Sequence, residues 1–525
     1  MLYSDSFIYK YIKKGEYKFM GKRLQKCKNR IISLTLSITI LLGICLQPTA
    51  LKVHATENEN VNNGTSDESD KYLIYPIPQS IEYDEDKTTF NLINGVNLVL
   101  EDGVDEATKL YVEEVLTEFK INYTINNKLS EKITNLCLGV NNSKDIVDEY
   151  VKNNITISNE TLFENPDSYL MDVREDAIVI LGKDTDSTFY GVATLKMLLS
   201  SFNNMKLLNA KIEDYANVPV RGFIEGFYGG WDYEERESLM NFAKDYKMNS
   251  FIYASKTDPY HTSKWDVLYP ADELSKIEEL VNLGEKTKVR YGWSVHISGF
   301  FTGLDTSNKA EYEKRYQKLI SKFQQLYDVG VRKFDILNDD FGSGSNEDVV
   351  TLLNRLDTEF IQKNGCARMA YCPQGYNKAW SGNGEELRVL KGLNQTIDLY
   401  WTGDDVNSPI TQETVDFLQE KTNHKPMFWL NYPVNEHSKS GVYLGDISYY
   451  ARDNVNGMAG FVSNPSRFAE SNKVALFQLA ALNWNNKNYL SNSQKVWEDS
   501  FKYLEPEVKE AYLTIARNIA NAPRS

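Results

Sequence analysis

The adjacent carboxylates Asp339 and Asp340 are the residues whose type and spacing most clearly predict chemistry in this chain. They follow a largely apolar run, Phe334 to Leu337, which has the pattern of a buried β-strand. Because two carboxylates in one confined site repel each other, we expect one apparent pKa to be raised and the pair to titrate as a unit. A proton donor beside an ionised partner is the combination that glycoside cleavage requires.

An acidic dipeptide alone is weak evidence, because Asp404-Asp405 is a second such pair in this chain. What distinguishes Asp339-Asp340 is the apolar strand that precedes it. From Val218 onward, short β-branched and aromatic runs alternate with amphipathic stretches that begin with polar residues. The runs are Val220 to Ile224, Ser250 to Ala254, Arg290 to Val295, Lys333 to Leu337, Arg368 to Tyr371, Ile397 to Trp401, Pro426 to Leu430 and Gly457 to Val462. This alternation predicts a (β/α)8 TIM barrel whose active site lies at the carboxyl ends of its strands.

Polar residues follow nearly every predicted strand. The residues that follow the strands are Glu225 to Gly229, Lys256, His296, Asn338 to Asp340, Tyr376, Thr402-Gly403, Asn431 and Ser463-Asn464. Residues in barrel loops are often polar simply because they are exposed to solvent, and for His296 taken alone we favour that interpretation. The whole set instead predicts a binding cup for a ligand rich in hydroxyl and amide groups, which describes a sugar.

Five segments are predicted along the chain. We expect a signal peptide over residues 1–55, a disordered linker over 56–71, a small α/β domain over 72–215, the barrel over 216–495 and a helical element over 496–525. The small domain contains strand-like and helical patterns but no concentration of acids, bases or nucleophiles. We therefore interpret it as a packing or positioning module. The predicted fold is thus a (β/α)8 barrel preceded by a small α+β domain and followed by a helical C-terminal element.

The predicted signal peptide is a basic stretch followed by the apolar run Ile31 to Leu46, with Val53-His54-Ala55 at a suitable cleavage position. The apolar run is short for a membrane span, and Met20 is an alternative start. A retained anchor is the less favoured interpretation. We expect a secreted protein with no membrane association after cleavage.

Composition excludes several classes of function. The formal charge of −15 argues against a nucleic-acid or anionic-membrane partner, because both need a basic face. Three of the five cysteines, Cys137, Cys366 and Cys372, lie outside the predicted signal peptide, and their scattered spacing indicates small buried residues. With five histidines and no HExxH or CxxC pattern, we expect neither a metal nor a cofactor.

Six segments in the same order resemble the family 84 glycoside hydrolases, the O-GlcNAcase and bacterial hyaluronidase-like group. They are Arg221 to Gly229 (RGFIEGFYG), Tyr253 to His261 (YASKTDPYH), Asn338 to Asp340 (NDD), Trp401 to Gly403 (WTG), Trp429 to Val434 (WLNYPV) and Ser463 to Pro465 (SNP). The resemblance spans most of residues 72–520. It includes the small domain, which is similar to the family 20-like domain that precedes the barrel in bacterial members.

The resemblance implies a substrate-assisted mechanism in which the substrate's own 2-acetamido oxygen attacks the anomeric carbon. Asp339 would then polarise the acetamido N–H, and Asp340 would act as the general acid and base. The resemblance further implies contacts to sugar hydroxyls from Gly226 and Lys256. Tyr376 would help hold the acetamido oxygen, and Asn464 would bind near it. The pocket would be shaped by Thr402, Trp429, Asn431 and Trp484.

Two departures from the family pattern concern specificity. Glu436 stands where bacterial members carry an Asp that binds the sugar's distal hydroxyls, and Asp404-Asp405 adds negative charge that would disfavour acidic polymers. We therefore expect a retaining β-N-acetylglucosaminidase acting on terminal β-linked GlcNAc of glycans or glycoproteins. The alternatives are a catalytically silent GlcNAc-binding protein and an endo-acting, hyaluronidase-like hexosaminidase.

Overall fold

The protein is described here by a computed structural model covering residues 71–519 apart from 87, 203–205, 341, 437–440 and 505–507. The predicted signal peptide, nearly all of the predicted linker and residues 520–525 lie outside the described residues. A small α/β domain is followed by a closed eight-stranded parallel barrel and by C-terminal helices. The predicted fold class is confirmed. Within the described residues, no helix is both long and apolar enough to cross a bilayer.

The described residues of the small domain form nine strands and three α-helices. The strands are β1 Ser80–Tyr83, β2 Thr89–Asn91, β3 Val96–Leu100, β4 Tyr123–Ile125, β5 Asn135–Val140, β6 Tyr169–Val173, β7 Ala177–Gly182, β8 Lys206–Leu208 and β9 Ala210–Asp214. The helices are α1 Glu106–Glu118, α2 Ile146–Asn154 and α3 Thr185–Ser201. Seven strands form one sheet in the order β1-β9-β6-β7-β5-β3-β4, and β2 pairs with β8. Strand β7 is buried along its whole length, and α3 packs against it.

Eight parallel strands form the barrel. They are β10 Val220–Glu225, β11 Ser250–Tyr253, β12 Arg290–His296, β13 Lys333–Leu337, β14 Ala370–Cys372, β15 Asp398–Trp401, β16 Pro426–Leu430 and β17 Gly460–Ser463. Strand β17 pairs with β10 and closes the ring. All eight predicted runs overlap an observed strand. Because these strands are covered on both faces, their sequences are nearly continuous apolar runs rather than alternating ones.

Helices cover most of the barrel. They are α4 Tyr233–Asp245, α5 Ala271–Thr287, α6 Ser298–Phe301, α7 Lys309–Asp328, α8 Asn346–Leu356, α9 Gln412–Thr422 and α10 Ala469–Trp484, with a π-helical turn, Asp357–Gln362, after α8. Their starts are encoded locally. Asp232 accepts a hydrogen bond from the Glu235 backbone while the Glu235 side chain accepts one from the Asp232 backbone, a capping box that begins α4.

Two of the expected strand–helix units lack an α-helix within the described residues. The crossovers after β14 and β16 contain only short 3-10 turns, Arg388–Gly392 and Ser448–Tyr450. Both segments are rich in Gly and Asn, which disfavour helix and favour turns. The barrel is therefore less regular than eight strand–helix repeats, and both irregular loops contribute to the cavity described below.

The C-terminal element begins earlier than expected and is divided. One helix was expected from Val496 to Ala520, but the described residues form two, α11 Asn486–Leu504, which is kinked at Asn492, and α12 Lys509–Ile519. The sequence places Pro506 between them, and proline cannot continue a helix. Trp497 and Phe501 of α11 pack with Ala516 of α12 in a small apolar cluster.

A buried polar cluster joins the small domain to the amino-terminal end of the barrel. Asp214 accepts hydrogen bonds from Tyr169, Lys247 and the indole N–H of Trp484. The Arg221 guanidinium lies 5.1 Å from the Trp484 ring centroid and donates to the Lys247 carbonyl. We call these five residues the lower cluster.

Candidate active site

A cavity of about 520 Å³ opens at the carboxyl ends of the barrel strands, where the sequence predicts a binding cup. We call this cavity the cup. Its lining is Gly226, Tyr228, Asp339, Asp340, Cys372, Tyr376, Trp380, Tyr400, Trp401, Thr402, Asp405, Val406, Asn407, Trp429, Asn431, Tyr432, Val434, Glu436, Tyr443 and Asn464. Hydroxyl, amide and carboxylate groups thus converge on a space bounded by aromatic rings, an arrangement that suits a sugar.

Asp339 lies buried two residues beyond the end of β13, with a cation beside it. Its Oδ2 accepts a 2.9 Å hydrogen bond from Lys256 Nζ, and His296 Nε2 is 3.5 Å from its Oδ1. Burial alone would raise the pKa of Asp339, but the Lys256 ammonium group outweighs it and holds the pKa below the ordinary value of 3.8. Asp339 is therefore an ionised acceptor at neutral pH, and Oδ1 has no hydrogen-bond donor.

Asp340 differs from its neighbour in both backbone and surroundings. Its φ is +50°, in the left-handed region that few non-glycine residues adopt. The Tyr228 hydroxyl donates to Asp340 Oδ2 at 3.0 Å, and the Tyr376 hydroxyl lies 3.5 Å from Oδ1. Burial and the Asp340 carboxylate raise the pKa of Tyr376, so the phenol stays protonated and can donate.

The sequence-based expectation for this pair considered repulsion between two carboxylates and omitted Lys256. In the structure the ammonium group, rather than Asp340, dominates the charge state of Asp339. The sequence could not show this contact because Lys256 and Asp339 follow different strands. Lys256 itself lines a neighbouring groove rather than the cup. Its ammonium group therefore contacts Asp339 and does not border the space expected for the sugar.

The opposite wall of the cup is a chain of side-chain hydrogen bonds. The Trp429 indole N–H and the Asn464 amide both donate to Asn431 Oδ1 at 3.0 Å, and Asn431 donates to the Val406 carbonyl. These contacts fix each amide orientation and leave the buried Asn464 Oδ1 with no donor. A buried acceptor without a partner is costly, so it marks a place where a ligand N–H or O–H can bind.

The backbone at residue 226 lies so close to the Trp429 ring of the same wall that only glycine fits there. A Cβ at this position would lie 2.3 Å from Cζ2 of Trp429, far inside van der Waals contact. Glycine therefore lets the strand β10 backbone approach the indole that shapes the cup.

The remaining predicted site residues bring more polar groups to the rim. Glu436 Oε1 accepts a 2.7 Å hydrogen bond from the Tyr228 backbone N–H, which connects the loop after β16 to the loop after β10. Thr402 donates to the Asp405 carbonyl at 2.7 Å. Asp405 lines the cup and Asp404 does not, so one member of the second acidic pair contributes charge there.

Trp484 was expected to shape the sugar pocket, and this expectation is wrong. It ends α10 at the opposite end of the barrel, is fully buried and donates to Asp214 in the lower cluster. The helix after the last strand runs back toward the amino-terminal end of the barrel, so its final residue cannot reach the cup.

Several cup residues were not singled out from the sequence. Tyr228 lay within the segment that follows the first barrel strand but was assigned no role, although it stands only two residues after Gly226. Trp380 and Val406 lie in irregular loops with no periodic signal. Cys372, which ends β14, was correctly expected to be buried, although Cys366 is only half-buried. Within the described part of the chain, no group of three or more His, Cys, Asp or Glu could hold a metal ion.

Two family models match the chain. One, described as beta-N-acetylglucosaminidase, matches residues 221–517. The other, described as glycosyl hydrolase family 20, domain 2, matches residues 71–215. The two matches meet where the small domain gives way to the barrel.

Known structures and sequences are similar to the same regions. The solved structure named CpGH84D is 39% identical with a TM-score of 0.81, over 86% of this chain and 76% of that one. CpGH84B is 32% identical with a TM-score of 0.76, over 86% of this chain and 78% of that one. Protein O-GlcNAcase of Rattus norvegicus is 25% identical over 293 residues, which are 53% of this chain and 31% of that protein. The match thus spans less than a third of this curated relative.

Proposed function

Because the chain belongs to glycoside hydrolase family 84, the beta-N-acetylglucosaminidase family, we propose that it hydrolyses terminal β-linked N-acetylglucosamine from glycans or glycoproteins with retention of configuration. The name of the rat relative, O-GlcNAcase, supports this substrate class. The polar, aromatic-walled cup at the carboxyl ends of the barrel strands provides the matching space.

One observation carries the proposal: two adjacent carboxylates have different environments. Asp339 is buried and held ionised by Lys256, whereas Asp340 faces the cup beside two tyrosine hydroxyls. An ionised acceptor beside a second carboxyl group that reaches the cavity is what substrate-assisted cleavage requires, because the two groups must perform different tasks.

In the first step, Asp339 accepts a hydrogen bond from the substrate's acetamido N–H and makes the carbonyl oxygen more nucleophilic. That oxygen attacks the anomeric carbon, the bond to the leaving-group oxygen breaks, and Asp340 transfers its proton to that oxygen. The product is an oxazolinium ion on the sugar, that is, an N-protonated oxazoline whose N–H stays hydrogen-bonded to the Asp339 carboxylate. No carboxylate of the protein bonds to the sugar, unlike the usual retaining mechanism.

In the second step, Asp340 accepts a proton from a water molecule as that water attacks the anomeric carbon. The oxazoline ring opens, its oxygen returns to the acetamido group, and the sugar keeps its β configuration because two inversions have occurred. Tyr376 can donate to the acetamido oxygen, and the unpartnered Asn464 Oδ1 can accept from a sugar hydroxyl.

The charges of the cup favour exo-action on neutral sugars over cleavage of an acidic polymer such as hyaluronan. Asp339, Asp340, Asp405 and Glu436 all line it, and a uronic acid carboxylate would be repelled. The proposal includes secretion, which is supported by the basic and apolar pattern of residues 22–55. We expect mass spectrometry of the exported protein to show a chain that begins near Thr56. An exported chain that keeps residues 22–55 would contradict cleavage.

The test is hydrolysis of 4-nitrophenyl β-N-acetylglucosaminide by the whole chain, with Asp339→Asn and Asp340→Asn in parallel. We expect the wild type to be active, Asp339→Asn to lose most activity and Asp340→Asn to lose more with poor leaving groups than with good ones. An inactive wild type that still binds a GlcNAc-oxazoline mimic would favour the silent GlcNAc-binding protein. An inactive wild type without such binding would contradict a sugar site altogether.

A further inference from the structure

The backbone turn that carries Asp340 is held in an uncommon conformation. Asp340 has a φ of +50°, and the residue pair Asn338 and Ser343 spans the turn, with the Ser343 backbone N–H donating to Asn338 Oδ1. A left-handed non-glycine residue is unfavourable and persists only where the surrounding structure holds it. The direction of the Asp340 carboxylate therefore depends on what holds this turn.

Three contacts to the turn and its strand come from one neighbouring segment, residues 296–298 at the carboxyl end of β12. His296 Nε2 lies 2.8 Å from the Asp339 carbonyl oxygen. The Ile297 backbone N–H donates to the Leu337 carbonyl at 2.9 Å, and the Ser343 hydroxyl donates to the Ser298 carbonyl at 2.6 Å. The segment is thus hydrogen-bonded to residues on both sides of Asp340.

The contacts of His296 define which ring nitrogen carries the proton. A carbonyl oxygen can only accept, so Nε2 must carry hydrogen. On the other side of the ring, Nδ1 accepts from the Ser298 backbone N–H at 3.3 Å and lies 3.0 Å from the Ser298 hydroxyl. One neutral tautomer satisfies all of these contacts, and burial lowers the pKa of His296 in agreement with that neutral form.

We propose that His296 is a positioning residue whose Nε2–H bond to the Asp339 carbonyl fixes the peptide between the two aspartates. This bond holds Asp340 in the left-handed conformation that directs its carboxylate toward Tyr228 and Tyr376. The inference rests on the proposed function, in which Asp340 protonates the leaving group. It assigns a role to a histidine that the sequence alone suggested was an ordinary solvent-exposed loop residue.

The test compares His296→Met, which removes the donor at similar side-chain length, with His296→Gln, whose amide N–H can replace it. We expect His296→Met to lower kcat about 10- to 100-fold on a GlcNAc glycoside with a poor leaving group, because the acid is misplaced. KM should change little, a 2,4-dinitrophenyl leaving group should show little loss, and His296→Gln should recover most of the activity. Ser343→Ala should show the same pattern more weakly, which provides a second variant if His296→Met does not fold.

Two controls separate positioning from general destabilisation. His424 is equally buried and its Nδ1 lies 2.8 Å from the Ile397 carbonyl at the other end of the barrel, so His424→Met should leave the leaving-group dependence unchanged. In an Asp340→Asn background, His296→Met should cause no further loss, because asparagine also tolerates the left-handed region but supplies no acid.

Equal losses for good and poor leaving groups, or the same loss with and without Asp340, would overturn the role of His296 and leave the proposed function intact. A wild type inactive on both substrates would overturn the proposed function and this inference with it.

Discussion

The barrel has a buried lysine–aspartate pair at each end, and the two differ in how completely they are satisfied. Lys247 and Asp214 are 3.0 Å apart in the lower cluster, and Lys256 and Asp339 are 2.9 Å apart at the cup. Each side chain of both pairs is less than 10% exposed. Distance and burial alone do not distinguish the two sites.

The number of hydrogen bonds to the carboxylate does distinguish them. Both oxygens of Asp214 are used, by Lys247, Tyr169 and Trp484 and by two backbone N–H groups. Asp339 Oδ1 has no donor and borders an open cavity. A fully satisfied pair contributes to the stability of the domain junction, whereas an incompletely satisfied one is available to a ligand.

The pKa values of the two buried lysines are shifted in opposite directions. Burial outweighs Asp214 and lowers the pKa of Lys247, while Asp339 outweighs burial and raises the pKa of Lys256. The cup therefore holds its ion pair in the charged form that the proposed chemistry requires.

The largest expected contrast comes from removing each carboxylate's charge. Asp339→Asn should lower kcat/KM about 100- to 1,000-fold, because it removes the acceptor for the acetamido N–H. Asp214→Asn should leave the activity of the folded protein unchanged and lower the free energy of unfolding by about 3–5 kcal/mol, because Lys247 would be buried without its partner. Urea unfolding and steady-state kinetics on both variants measure the two effects.

Asp339→Asn should lose less stability than Asp214→Asn, since Lys256 lines a groove that water can reach. If the variant at Asp214 lost activity without losing stability, or the variant at Asp339 did the reverse, the division between the two ends of the barrel would be wrong.

A smaller loss is expected from Gly226→Ala. The added Cβ would displace the Trp429 ring, so kcat/KM should fall about 10- to 100-fold while the free energy of unfolding changes less. Gly103→Ala is the matched control, because its Cβ would meet Val140 at an ordinary 3.4 Å. Similar kinetics for the two variants would show that the Gly226–Trp429 approach does not shape the substrate site.

A third comparison uses two tryptophans that the sequence assigned to one pocket. Trp484→Phe should cost about 1–3 kcal/mol of stability, because Asp214 loses a buried donor, and should not change kcat or KM. Trp429→Phe should weaken substrate binding, because Asn431 loses one of the bonds that orient it. A raised KM for Trp484→Phe would contradict its placement in the lower cluster.

The sequence predicted the barrel well because its signals are local. Each strand is a buried apolar run followed by a polar residue, and Asp339, Thr402, Asn431 and Asn464 take their places in the cup from that order alone. The crossovers after β14 and β16 were predicted less well. Their glycines and asparagines indicated loops but not the paths that bring Trp380 and Tyr443 to the cup.

What the sequence could not provide were contacts between distant segments. Resemblance assigned Trp484 to the pocket although the direction of α10 carries it to the lower cluster. Carboxylate repulsion predicted one proton donor and one ionised partner in the aspartate pair, but it did not reveal that Lys256, which follows another strand, holds the pKa of Asp339 low. The contact of His296 with Asp339 depends equally on the packing of neighbouring strands.

The smallest expected effect is a pH-dependent difference in stability between the wild type and Asp339→Asn. The pKa of Asp339 is lower in the folded protein than its ordinary value of 3.8, so its contribution to stability is complete above that value. As the pH falls through 3.8 and then through the lower folded pKa, the carboxylate is protonated and the contribution disappears. The wild type should therefore lose its stability advantage over Asp339→Asn below about pH 4, measured by urea unfolding at stepped pH. An advantage that grew at acid pH would mean that Asp339 is the protonated member of the pair, and the charged Lys256–Asp339 contact could not then be what distinguishes the cup from the lower cluster.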